Sequence, residues 1–311
     1  MESVNFRFYK KNMQSIAVLL PLIPGANIVK EPSGDILIYS FATPQALSVF
    51  REIQCIKNSH ILIAGGPHPS ACPEETLLYF DYVVIGEGEE ALPELIDVLR
   101  KGGDVSSVGS LAFKKDNTIF FTEKGASIDL NNYPPFDPEI MHNTIEISRG
   151  CPFNCTYCQT PRLFGHSMRH RSIEVISKYA KFLGDVRFTS PNAFAYGSDG
   201  IHPNIEKIRT LLCALPSDRN IFFGTFPSEV RPEFINDALL ELVSDYCANT
   251  TINMGGQSGS QRMLENIRRG IRWKILLSVL RNAWSMVLYQ SWISFSGCHM
   301  KPKKIRRIRS G

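Results

Sequence analysis

Residues 144–161 read TIEISRGCPFNCTYCQTP and hold three of the chain's eight cysteines, Cys151, Cys155 and Cys158, within eight positions. TIEIS alternates apolar and polar residues as a short half-buried strand does, and the cysteine loop leaves its carboxyl end directly. Three thiols are an odd number for a disulfide framework and one fewer than a closed zinc site uses. Thiolate sulfur is soft and suits zinc or iron–sulfur clusters. Zinc would require a fourth ligand, with His166 and His170 the nearest candidates. A cubane [4Fe–4S] cluster held by three thiolates keeps one iron open for a further ligand.

Downstream, strand and helix patterns alternate. SIEVISKYAKFLG (172–184) reads as a helix capped by Ser172, DVRFTS (185–190) as a strand and NIEKIRTLLCAL (204–215) as a helix. NIFFGTF (220–226) reads as a strand, PEFINDALLELVSDY (232–246) as a helix opened by Pro232, TTINMG (250–255) as a strand and SQRMLENIRRG (260–270) as a helix. Four βα units in succession predict the opening of a (β/α) barrel with its chemistry at the carboxyl ends of the strands.

Upstream, SIAVLL (15–20), DILIYSF (35–41), HILIAGG (60–66) and DYVVIG (81–86) read as buried strands. The helical patterns between and after them include TPQALSVFREIQCIKN, with Thr43 as its cap, then PEETLLYF and ALPELIDVLRKGG. The alternation predicts an α/β domain with a doubly wound, flavodoxin- or Rossmann-like parallel sheet over 1–105. Such a sheet binds ligands beyond the carboxyl ends of its strands, where GGPHPS (65–70) and GEGEEA (86–91) lie. The second loop formally matches GxGxxA, yet Glu87, Glu89 and Glu90 would repel a pyrophosphate and instead favour a helix N-terminus. His68 reads as a loop histidine flanked by prolines. SLAFKKDNTIFFTEK (110–124) predicts a hairpin about Asp116-Asn117, and the Pro- and Asn-rich DLNNYPPFDPEI (129–140) a linker, so 106–141 separates the first domain from barrel residues 142–270.

Composition is that of an ordinary globular chain, with 43% hydrophobic and 21% charged residues. MESVNFRFYKK lacks the apolar stretch of a signal peptide, and no apolar run reaches the roughly 18–20 residues of a membrane span. Cys55, Cys72, Cys213, Cys247 and Cys298 are scattered without pairing logic, which predicts small buried hydrophobes in a reducing cytoplasm.

With CxxxCxxC after a strand, and the aromatic Tyr157 just before the last cysteine, the sequence resembles the radical S-adenosylmethionine (SAM) superfamily. The resemblance implies a partial (β/α)6 barrel and a [4Fe–4S] cluster on Cys151, Cys155 and Cys158. The fourth iron of that cluster binds SAM, and its reduction yields a 5′-deoxyadenosyl radical. The resemblance carries over Tyr157 to SAM packing. Ser190 and Asn192 stand where the family has a Gly-Gly-Glu segment, which is absent here. Ser228, Glu229, Arg231, Gln257 and Ser258 fall at the ends of the third and fourth strands, on the SAM or substrate side; each also reads as a loop polar residue capping a helix. Arg149 would neutralise the cluster, or stand as a solvated arginine. The first domain resembles the cobalamin-binding module that often precedes this barrel, which implies contacts at Gly65, Gly66, His68, Gly86 and Gly88. The module's DxHxxG segment is missing, so cobalamin would bind without a histidine on cobalt, or the module is vestigial. Methyl transfer, methylthiolation or rearrangement, fed by a donor such as ferredoxin or flavodoxin, is the implied activity. The competing class is a non-enzymatic zinc-binding interaction protein.

Residues 271–311 differ in kind. They hold nine Lys/Arg, no Asp or Glu and all three tryptophans; removing those nine from the chain's 34 basic residues leaves 25 against 30 acidic. The family resemblance predicts HTVEDI after Arg268-Arg269-Gly270, where this chain has IRWKIL. ATA CGG TGG AAG ATA TTA encodes IRWKIL, and with a preceding C the adjacent frame reads HTVEDI. Met286–Ile305 is likewise compatible with HGFIPVVDFIFGLPHETEED. This predicts that 271–311 is an out-of-frame tail, with strands five and six lost and an inactive truncated product as one outcome. The alternative is a basic tail, KPKKIRRIRS, for nucleic acid or anionic lipid, although composition bias alone gives such a patch.

Overall fold

A computed structural model describes residues 2–56, 59–141 and 144–279, and the backbone of Trp292–Phe295. The first domain is built on a seven-stranded sheet. Its strands are β1 (Val4–Arg7), β2 (Asn27–Val29), β3 (Ile36–Ser40), β4 (Ile61–Gly65), β5 (Tyr82–Val84), β6 (Leu111–Lys115) and β7 (Thr118–Phe121), in spatial order β2-β1-β3-β4-β5-β6-β7. The first five are parallel, with Ile36 beside Ile61 and Ile38 beside Ile63; β6 and β7 run antiparallel on the far edge. The predicted hairpin thus extends this sheet. Its turn residues Asp116 and Asn117 have φ of 49° and 63°, as a two-residue turn matched to strand twist requires.

Helices cover both faces, as a doubly wound sheet requires. Ile36, Ile38 and Ile63 point to one face with α1 (Met13–Leu19) and α5 (Ala91–Lys101). Leu37, Tyr39, Leu62 and Ala64 point to the other with α2 (Thr43–Ile56). This is the period of two along each strand. Between β4 and β5 lie α3 (Pro67–Ala71) and α4 (Pro73–Thr76).

Two expectations fail here. SIAVLL is a helix, not a strand, because α1 is buried on two sides. Ile16 enters the first domain's core while Ala17 enters the barrel's, and the Asp137 amide donates to the Ala17 carbonyl at 2.7 Å. An apolar run that packs on two sides shows no single amphipathic stripe. Two strands were missed, the short edge strand β2 and β1, whose polar residues are buried: the Asn5 amide donates to the Ser33 carbonyl and Arg7 pairs with Glu52 at 2.7 Å. Of the scattered cysteines, Cys55 and Cys213 are exposed rather than buried, being on outward helix faces; Cys298 lies outside the described residues.

The second domain opens with β8 (Ile145–Glu146) and β9 (Ser148–Arg149), followed by α6 (Thr160–Phe164), β10 (Arg169–His170) and α7 (Ile173–Ala180). It continues with β11 (Asp185–Thr189), α8 (Ile205–Ala214), β12 (Asn220–Phe222), α9 (Asp237–Tyr246), β13 (Thr251–Met254) and α10 (Gln261–Asn266). β8, β11 and β12 are parallel neighbours, and the Asn253 amide joins β13 to them by donating to the Gly224 carbonyl at 2.8 Å. Ser172 caps α7 by accepting from the Val175 amide, as predicted. Helix α9 starts after Asn236 rather than at Pro232, because the Asn236 side chain accepts from the Leu239 amide. A fifth strand, β14 (Trp292–Phe295), runs parallel to β13, although sequence reading counted four. Its neighbours in the tail, including most of Met286–Ile305, lie outside the described residues.

Candidate functional site

The cysteine loop is pinched at its base where β9 pairs with β10, Arg149 opposite Arg169. Gly150, at φ +87°, begins it. A Cβ there would stand 2.1 Å from the Ser167 carbonyl oxygen, so no other residue fits. Backbone bonds fix the three thiols. Cys151 donates its amide to Gly165 (3.2 Å), Cys158 to Cys155 (3.1 Å) and Thr156 to Ile267 just past α10 (3.0 Å). Cys155 is buried; Cys151 and Cys158 are half-buried. Burial pushes the Cys151 thiol above its usual value, against the Phe153 backbone and the Arg231 charge, which oppose it.

Among the described residues, only His68, Cys72 and Glu75 bring three such ligand atoms within 4.8 Å of one another. His170, a candidate fourth zinc ligand, is committed elsewhere. Its Nε2 lies 2.7 Å from the Ser198 carbonyl, while Nδ1 accepts from Ser148 Oγ and the Gly197 amide. Burial holds its pKa below the ordinary histidine value. His166 is exposed.

Two arginines surround the thiols. Arg269, which sequence reading missed, is buried, with Nη1 3.8 Å from Cys155 Sγ and Nη2 donating to the Gly255 carbonyl at 2.6 Å. Its Nε has no hydrogen-bond partner among the described residues. Arg231 lies 3.4 Å above the Phe153 ring and donates to Glu233 and to the Arg269 carbonyl. It therefore braces the cysteine loop instead of projecting freely toward a ligand. Glu229, Gln257 and Arg269 crowd Gly255, whose missing side chain leaves their convergence open. Asn192 is buried after β11; its Oδ1 accepts from the Arg231 amide, and its Nδ2 has no partner among the described residues. Ser228 donates to the Ser190 carbonyl, and Ser258 accepts from the Ser260 amide, so these three serines shape loops. Tyr157 is half exposed beside Cys155, and burial lifts its hydroxyl to about 12, with Arg269 opposing.

The carboxyl edge of the first sheet meets this loop. The Gln159 side chain donates to the Pro67 carbonyl, and a Cβ on Gly86, at φ +81°, would stand 3.1 Å from the Leu163 carbonyl oxygen. Gly65 and Gly66 end β4, and Gly88 packs on Leu19. His68 does not line this edge. Its ring is buried beside Phe41 and Phe50, with Nδ1 3.3 Å from Thr43 Oγ1. Arg149 is neither solvated nor at the thiols. It is buried among Glu87 (2.9 Å), Glu89 (2.7 Å) and Glu146 (2.7 Å), with Arg169 also on Glu87 (2.8 Å) and Arg171 near Glu146 (3.8 Å). The acids of GEGEEA thus tie the two domains together. Sequence could not pair groups 60 or more positions apart.

The radical SAM superfamily model matches residues 145–285 and the B12 binding domain model residues 35–96. The chain thus carries a radical SAM domain, with a cobalamin-binding-like domain before it. It is 25% identical to an uncharacterized methyltransferase of Pyrococcus horikoshii over 79% of this chain and 56% of that one. It is 31% identical to the anaerobic magnesium-protoporphyrin IX monomethyl ester cyclase of Synechocystis over 68% of this chain and 44% of the cyclase. The chain thus spans about half the length of these relatives. Its fold is similar to that of the cobalamin-dependent SAM radical enzyme OxsB with aqua-cobalamin and SAM bound, with a TM-score of 0.75 at 17% identity, covering 95% of this chain and 49% of OxsB. Among the described residues no helix is long and apolar enough to cross a membrane.

Proposed function

We propose that the chain is the catalytic core of a cobalamin-assisted radical SAM enzyme transferring a methyl or methylthio group. The observation that carries this is the placing of Cys151, Cys155 and Cys158 on one backbone-pinned loop leaving the first barrel strand, with the buried Arg269 guanidinium 3.8 Å from Cys155 Sγ. The donor set fits a [4Fe–4S] cluster, which when bound supplies one-electron reductive cleavage of SAM. Arg269 offsets the negative charge of the thiolates. The unpartnered Asn192 amide and the Glu229 carboxylate suit the carboxylate and ammonium of SAM respectively, and Gln257 stands beside them at Gly255. Tyr157 shields the thiolate side from water. Cobalamin fits the edge formed by Gly65, Gly66, Gly86 and Gly88, without a histidine on cobalt. The names of the relatives favour methyl transfer over rearrangement. A ferredoxin or flavodoxin in an oxygen-poor cytoplasm supplies the electron.

Anaerobic reconstitution tests this. The expected product is brown, holds about four irons and four acid-labile sulfides per chain, and converts SAM when reduced. Tightly bound zinc without that colour would return the chain to the class of zinc-binding interaction proteins.

We also propose that residues 271–311 are read out of frame. Their lack of acidic residues supports this, as does the gathering of all three tryptophans there, while β14 shows that a fifth strand is kept in the given frame. Resequencing the codons for Arg268–Lys274 decides it: an unchanged sequence in a chain that assembles an active cluster sinks the idea.

A further inference from the structure

The described residues contain a second ligand cluster, away from the cysteine loop. His68, Cys72 and Glu75 occupy positions i, i+4 and i+7 across α3 and α4. Chain continuity between the two short helices is kept by Cys72 donating to the His68 carbonyl (2.9 Å) and Thr76 to the Cys72 carbonyl (3.0 Å). Such spacing puts all three side chains on one face. Their ligand atoms lie within 4.8 Å of one another.

His68 makes this more than a chance cluster. The residue is 4% exposed, and its Nε2 is buried without a hydrogen-bond partner among the described residues. The nearest charged atom is Glu75 Oε2 at 3.7 Å, beyond hydrogen-bond length. On the opposite side of the ring, Nδ1 reaches Thr43 Oγ1 at 3.3 Å. A proton on Nδ1 directed at Thr43 leaves the lone pair on Nε2, aimed at Cys72 and Glu75. Metal-bound histidines are oriented in this way by a second partner. The Phe41 and Phe50 rings, with centroids at 5.6 and 5.8 Å, fix the imidazole in place. Cys72 is half-buried and the Glu75 carboxylate is exposed, so the site opens to solvent on one side.

We propose that His68 Nε2, Cys72 Sγ and Glu75 Oε2 bind one zinc ion, with water as the fourth ligand. One imidazole, one thiolate and one carboxylate form a borderline donor set that zinc accepts in tetrahedral geometry. Binding deprotonates the Cys72 thiol, and that proton passes to solvent, so affinity falls as pH drops. The ion is independent of the cluster reading. It would pin α3, whose Pro67 carbonyl already accepts from Gln159 beside Cys158.

The test uses the full chain with Cys151, Cys155 and Cys158 replaced by alanine, so that the loop cannot capture metal. Titration with cobalt(II) under argon should give tetrahedral d–d and thiolate-to-cobalt bands saturating at about one ion per chain and reversed by zinc. The Cys72→Ser variant should lose the thiolate band, and Glu75→Gln should weaken binding by about tenfold or more. A chain that gives no band, or one whose band survives Cys72→Ser, overturns the proposal. A second count, on the wild-type chain with iron filling the loop, should find about one zinc after dialysis. Zinc absent there, or retained equally by Cys72→Ser, also overturns it.

Discussion

Two groups of buried charge lie near each other in this molecule and are built on opposite plans. Around Arg149, three guanidinium groups face three carboxylates, and the Arg149 charges are matched at 2.7–2.9 Å. Around Arg269, one guanidinium and one amide retain donor atoms with no partner among the described residues. Burial opposes the charged form of Arg149, yet Glu146 and Glu89 overbalance it and hold its pKa above the ordinary arginine value. A matched network holds surfaces together, whereas unpartnered donors keep their hydrogen-bonding capacity open.

The comparison breaks most simply by mutation. Cys155→Ala should reduce iron after reconstitution from about four per chain to near background and abolish SAM cleavage, with little change in far-ultraviolet circular dichroism. Arg149→Met leaves Glu87, Glu89 and Glu146 buried without their main cation. It should cost about 3–5 kcal/mol of unfolding free energy, read by urea titration. Arg269→Gln should cost only about 1–2 kcal/mol in the same titration, yet lower SAM affinity by about tenfold or more. Equal effects of the two arginine variants on both readouts would erase the distinction between them.

Acid sharpens it further. Burial alone would raise the Glu87 pKa, but hydrogen bonds from Arg169 and Arg149 overbalance it and hold it below the ordinary value. Its contribution is therefore present above about pH 4.5 and lost as pH falls through the lowered pKa. His170, neutral in the fold with its pKa lowered by burial, destabilises the fold as pH drops below about 6.5. The urea midpoint should decline in two stages between about pH 7.5 and about pH 2.5, and Arg149→Met should shrink the lower one while Arg169 keeps part of it. The smallest effect lies far from both networks. Asn117→Gly in the hairpin turn, at φ 63°, should stabilise by about 0.5 kcal/mol.

What sequence revealed and concealed follows one physical line. Local rules found Ser172 as a cap, the Asp116-Asn117 turn and the strands DILIYSF, HILIAGG and DYVVIG, because their signals lie within a few residues. The spacing of Cys151, Cys155 and Cys158 is also local, and so the loop was legible. β1 was hidden because its partners, Ser33 and Glu52, are distant and polar. The Arg149 network and Arg269 were hidden for the same reason, as were the contact of Thr43 with His68 and the lone pair on that ring. Helix α1 misled because it packs against two layers at once.

That double packing also governs how the molecule can move. With Ile16 in one core and Ala17 in the next, α1 acts as a rivet through both domains. A hinge that parted them would have to tear a helix from one of its beds. The sheet edge and the barrel mouth are thus joined by a helix that belongs to both cores, so loosening α1 loosens the register between them.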